Sequence, residues 1–190
     1  MRNHVAAYWG FAAIFVLCSV TIVADANAQM FYRNLSFREL ASQLETPEDI
    51  AHYVWQNFSF VTDREQFGRE EYWQSPDELL ESQKGDCEDF AVFAHQILRY
   101  KHITSFVLNI YGHQYAHTVC VFKENGKYSV IDGTHVIRFE ASSVRELMTK
   151  IYPFWKTGAI VAPLGNSRQG QILTQFDHLV HAHERLCTSA

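Results

Sequence analysis

The sequence predicts an α+β domain, with helices first and an antiparallel sheet after them. Three observations carry that expectation. Helix-start signatures recur through the first half of the chain, and after Tyr100 the runs turn rich in β-branched and aromatic residues. An Asn125-Gly126 dipeptide then separates two such runs, a favourable signal for a two-residue hairpin. Helices followed by hairpin-linked strands segregate into α+β rather than alternating α/β.

The first 28 residues read as a signal peptide and not as part of the fold. Arg2 supplies a positive start, residues 5–23 are free of Asp, Glu, Lys and Arg, and Ala26-Asn27-Ala28 gives the small-x-small pattern that precedes cleavage. An uncleaved anchor is the alternative, because a membrane span needs about 20 apolar residues. Leu17 before Cys18 is too large for the usual lipoprotein processing site. Residues 29–190 then form one domain, with no repeat, low-complexity tract or linker to divide them.

Within that domain, Ser36 with Glu39 makes a capping box, and Thr46-Pro47 with Asp49 opens a second helix. Ser75-Pro76-Asp77-Glu78 repeats that grammar before a short helix reaching Gln83. A fourth helix starts at Cys87 and ends near Tyr100, with Phe90, Phe93, Ala94, Ile97 and Leu98 on one face. Strands are expected at 106–111, 117–123 and 127–132. Ser143 with Glu146 caps another helix towards Tyr152, residues 159–163 form a last short strand, and residues 169–186 read as a helix.

The whole chain has 190 residues, 47% hydrophobic and 19% charged, enough for one substantial core. A net charge of -5 leaves no basic footprint and argues against a nucleic-acid partner. Aromatic residues, 14% of the chain, read as core. Removal of Cys18 with the signal leaves Cys87, Cys120 and Cys187, an odd count that suggests one free thiol. If Cys120 and Cys187 pair, that thiol is Cys87.

The chemistry concentrates in Gly85-Asp86-Cys87-Glu88-Asp89-Phe90-Ala91, where a loop becomes a helix. A thiol in the first helical turn meets free N–H groups and a partial positive charge, which favour the nucleophilic thiolate. The Asn125-Gly126 turn would pair Glu124 with Lys127, placing Asp132 opposite Val119 and His117 opposite Thr134. His117 and Asp132 become diagonal neighbours on one face, while Cys120 points to the other. Histidine can take the thiol proton and return it to a leaving group near neutral pH, and an aspartate behind it fixes the tautomer. His113 lacks a matching acid and is the weaker candidate. For the oxyanion, the Cys87 N–H is one donor, with the Trp73 indole or the Gln83 amide as a second. The spacing of His178, His181 and His183 lacks a complete ligand set and reads as a solvated helical face.

Glu71-Tyr72-Trp73-Gln74-Ser75-Pro76-Asp77-Glu78, the Gly85–Ala91 motif, His117-Thr118-Val119 and Val130-Ile131-Asp132 together resemble the bacterial transglutaminase-like cysteine peptidases, within the transglutaminase/papain-like superfamily. The resemblance spans roughly 46–132 and implies a papain/transglutaminase-like catalytic domain. In it the nucleophile stands at a helix N-terminus packed on an antiparallel sheet. It implies Cys87 as nucleophile, His117 as general base and acid, and Asp132 as orienting acid. The best-known members work in the periplasm and clip a large surface adhesin under an inner-membrane receptor. Chemistry and resemblance together give an exported hydrolase of protein or peptide amide bonds, acting through a thioester acyl-enzyme. Glutamine acyl transfer to an amine and a non-catalytic peptide-binding module of the same fold are the rival readings. Asp86, Glu88 and Asp89 beside the thiol either point away from it or are neutralised by a cation. Hard oxygen ligands suit calcium, and the resembling peptidases use equivalent acids for it. No other cofactor is needed for the chemistry.

Overall fold

The computed structural model describes residues 35–162 and 171–177. The signal peptide expected over 1–28, the three tail histidines and Cys187 lie outside them. Among the described residues no helix is long and apolar enough to cross a membrane. The chain divides into two compact units, 1–40 and 41–190. The Ser36 amide donates to Glu39 Oε2 at 2.8 Å, the expected cap of helix α1 (Phe37–Gln43).

The second unit carries the α+β fold. Thr46 and Asp49 form a reciprocal capping box at the start of α2 (Pro47–Asn57), and Ser75 with Glu78 does the same for α4 (Pro76–Ser82). Between them lie β1 (Ser59–Phe60) and α3 (Asp63–Phe67), capped by Thr62. After α4, β2 (Lys84–Gly85) pairs in parallel with β1 and leads into α5 (Cys87–Tyr100). Then come β3 (Ser105–Tyr111), β4 (Ala116–Glu124), β5 (Lys127–Asp132), β6 (His135–Ala141), α6 (Val144–Ile151), β7 (Thr157–Ala162) and β8 (Gln171–Asp177). All neighbours in the order β6-β5-β4-β3-β7-β8 run antiparallel.

The β4–β5 register is the one expected from the turn, with Glu124 opposite Lys127 and Val121 opposite Val130. Alternation then sorts the sheet into two faces. Leu108, Ile110, Val119, Val121 and Val130 join Leu147, Met148 and Trp155 in one core beneath α6. Val107, Cys120, Phe122 and Ile131 take the opposite parity, the side across which α5 packs on β3, β4 and β5.

Within the six-stranded sheet, two elements depart from expectation. Residues 171–177, expected to be helical, form edge strand β8 on β7, because pairing along Thr157–Ala162 outweighs a helix-like spacing of Ile172, Leu173 and Phe176. Strand β6 was not expected; a tight Gly133-Thr134 connection (Gly133 φ 53°) folds it straight back onto β5. Cys120 is a free, fully buried thiol among the described residues, which do not include Cys187.

Candidate active site

His117 and Asp132 stand near the ends of β4 and β5 where the two strands' paired register has stopped, at Cys120 opposite Ile131. Released from the ladder, the two side chains meet, His117 Nε2 lying 2.7 Å from Asp132 Oδ1. Facing a carboxylate, Nε2 is the donor, which leaves Nδ1 as the ring nitrogen able to take up a proton. Both side chains keep solvent access, 22% and 32% exposed. The expected diagonal pair is formed.

Cys87 occupies the first position of α5, and the backbone amide of Thr118, the residue after His117, favours its ionised form. Thr118 Oγ1 donates in turn to buried Asn109 Oδ1 (3.0 Å), fixing this part of β4 against β3. Burial, and then charge on Asp132 and on Cys87, push the Tyr115 hydroxyl above its ordinary range. The ionisation state differs from expectation. Burial pushes the Cys87 thiol well above its ordinary range, and charge on Glu88 and Asp86 adds to that, against the Thr118 amide. Burial outweighs the helix terminus.

The acids explain why. Glu88 points at the thiol, whose Sγ donates to Glu88 Oε2 at 3.2 Å. Burial, and then a hydrogen bond to the Asp86 side chain, raise Glu88 to about 9. Asp89 points the other way. Its Oδ1 accepts from the Gln74 amide and its Oδ2 from Gln74 Nε2, each at 2.7 Å, and Oδ2 also accepts from the Asp86 amide at 3.3 Å. That carboxylate staples the Gln74 loop to the start of α5, and burial still lifts it to about 7. Gly85 serves the same junction: a Cβ there would lie 2.5 Å from Asp89 Oδ2 and 2.9 Å from Leu79 Cδ1.

Two further acids were missed by sequence reasoning. Asp63, 3% exposed, accepts from the Tyr72 amide, and burial raises it to about 6. Glu71 lies beside it. Oxygens of Asp63, Glu71 and Glu88 come within 4.8 Å of one another, as do those of Asp63, Asp86 and Asp89. Asp86 Oδ1 is buried and finds no hydrogen-bond partner among the described residues. An orphaned carboxylate oxygen amid buried acids fits a hard divalent cation, which would supply the missing positive charge. Asp63 had no sequence signal beyond its place after Thr62, because only the fold carries it across to α5.

The Trp73 indole N–H donates to Glu71 Oε1 at 3.0 Å, and its ring is 4% exposed. Gln83 ends α4 in the left-handed region (φ 53°), its carbonyl accepting from Ser59 at 2.9 Å.

A helix-borne thiol against an antiparallel sheet that carries a His–Asp pair defines a papain-like arrangement. The chain belongs to the transglutaminase-like domain family, whose model matches residues 32–148. That region extends beyond 46–132 at both ends. No curated protein matches the chain. Among solved structures it is similar to calcium-bound LapG of Legionella pneumophila, at 18% identity and TM-score 0.48 over 74% of this chain and 78% of that one. Another structure of Legionella pneumophila LapG matches at 20% identity and TM-score 0.46, over 62% and 67%.

Proposed function

We propose that the chain is a cysteine-dependent hydrolase of protein or peptide amide bonds with Cys87, His117 and Asp132 as its catalytic triad. The observation that carries this reading is the 2.7 Å His117–Asp132 pair on strands β4 and β5, against which α5 packs with Cys87 at its first position. In the cycle the Cys87 thiolate attacks the carbonyl carbon and His117 takes the thiol proton. His117 passes that proton to the departing amine as the C–N bond breaks. Water, activated by the same imidazole, then cleaves the thioester and regenerates the thiol. Asp132 holds the ring and stabilises its charged form. The Cys87 amide donates to the developing oxyanion.

Calcium is the second part of the proposal. Asp86, Glu88, Asp63 and Glu71 would hold it, with Asp89 buttressing the loop. Bound there, the ion would supply the positive charge that lets these acids ionise without opposing the thiolate. Support comes from the orphaned Asp86 oxygen and the raised acids, and LapG is described in a calcium-bound form. The N-terminal pattern supports export, with residues 1–28 as signal or anchor and the periplasm as working compartment.

The test is a proteome-wide comparison of new protein N-termini made by the native chain, Cys87→Ala and His117→Ala. New termini present only with the native chain are expected. Identical termini in all three would remove the hydrolase reading, and amine incorporation into glutamine without new termini would replace it with acyl transfer.

A further inference from the structure

We propose that Tyr115, Tyr152 and Phe154 form a recognition shelf for an apolar side chain, aromatic or branched aliphatic, of the peptide next to the bond that Cys87 attacks. The inference rests on the hydrolase reading and deepens it by naming a substrate preference. Its basis is a continuous run of rings that starts at the base and ends in solvent. The Tyr115 ring lies 5.8 Å from that of His117, Tyr152 lies tilted against Tyr115 at 4.3 Å and 32°, and Phe154 meets Tyr152 edge-on at 6.2 Å and 77°.

The run is built rather than incidental. Gly112 closes the β3–β4 connection by donating to the Tyr115 carbonyl at 2.7 Å, and a Cβ on Gly112 would run into the Tyr152 ring. Glycine at that position is what lets the Tyr152 ring come so close to this connection. Phe154, in contrast, is 77% exposed although both its flanks are anchored. The Tyr152 amide closes α6 on Met148 O at 2.8 Å, and Trp155 is buried in the core with its indole on Thr149 Oγ1 at 3.1 Å. A phenylalanine held out in water on a fixed turn, continuous with the imidazole, presents apolar area where a bound peptide would cover it. A polar or glycine residue at that substrate position would gain nothing from the rings.

The probes are two series of peptidyl vinyl sulfones, acetyl-Gly-X and acetyl-X-Gly, with X as Phe, Leu, Ser or Gly. Labelling of Cys87 is followed by intact mass in calcium, and each rate is divided by the iodoacetamide rate of the same protein. In one series the Phe and Leu probes are expected to react about tenfold faster than the Ser probe, the scale of apolar side-chain discrimination. Phe154→Ser should bring that ratio towards one, and Phe154→Leu should restore most of it. A flat ratio in the native chain, or a ratio that Phe154→Ser leaves intact, would overturn the shelf. Iodoacetamide labelling of Cys87 no faster than that of free cysteine would instead overturn the hydrolase reading, and the shelf with it.

Discussion

The two halves of the site are prepared to different degrees. On the hairpin, His117 and Asp132 already sit at hydrogen-bond distance, partly solvated and set by strand register. At the start of α5 the proposed nucleophile, Cys87, is buried, hydrogen-bonded to the Glu88 carboxyl group and set among acids, Glu88 itself being held above its ordinary range by burial. On the proposed reading, a base that is ready stands beside a nucleophile that is not. If the acidic cluster holds the proposed calcium, its occupancy, and not assembly of the His–Asp pair, would set how much thiolate forms.

The largest effects should come from breaking the ready half. His117→Ala should lower peptide hydrolysis by about 10⁴-fold or more, and Asp132→Asn by about 10²- to 10⁴-fold, as expected when a triad loses its base or its orienting acid. Steady-state turnover of a cleaved peptide measures both. An Asp132→Asn variant with native turnover would mean that the 2.7 Å pair is structural only.

A smaller effect sharpens the contrast from the other side. Asp86 adds like charge to Cys87, Glu88, Asp89 and Asp63, and Asn preserves the helix cap. In chelator, Asp86→Asn should speed Cys87 alkylation by about three- to tenfold, and its response to added calcium should shrink. Native calcium dependence in that variant would place the cation elsewhere.

The acids also fix a pH dependence of stability. Their folded values lie above their unfolded ones: Glu88 rises from 4.5 to about 9, Asp89 from 3.8 to about 7 and Asp63 from 3.8 to about 6. For a carboxyl shifted upward, the folded state binds more protons between the two values, so that stability falls as pH rises through the window. Without divalent cations the thermal midpoint should therefore decline from about pH 4 to about pH 9, while calcium should raise it far more at the alkaline end. A calcium increment equal at pH 5 and pH 8 would contradict the cluster as its site.

Much of this was legible before any coordinates. Pro47 and Pro76 behind Thr46 and Ser75 announce their helices because cap and first-turn preferences are local. Asn125-Gly126 fixes a register, and the register alone brings His117 and Asp132 to one face while sending Cys120 to the other. What stayed hidden depends on distant chain segments. Asp63 reaches the cysteine only through the β1–β2 pairing and α3. The electrostatic cost at Cys87 needed burial to be seen, because a helix N-terminus alone argues for the opposite shift. Strand β8 escaped because its apolar residues suit a helix until an edge offers them a partner.

The most direct measurement is the pH profile of Cys87 alkylation in saturating calcium, for the native chain and for His117→Ala. A thiolate paired with His117 should react at pH 6 well above the rate of free cysteine, and the variant should fall by at least about tenfold there. Superimposable profiles for the two proteins would contradict the account.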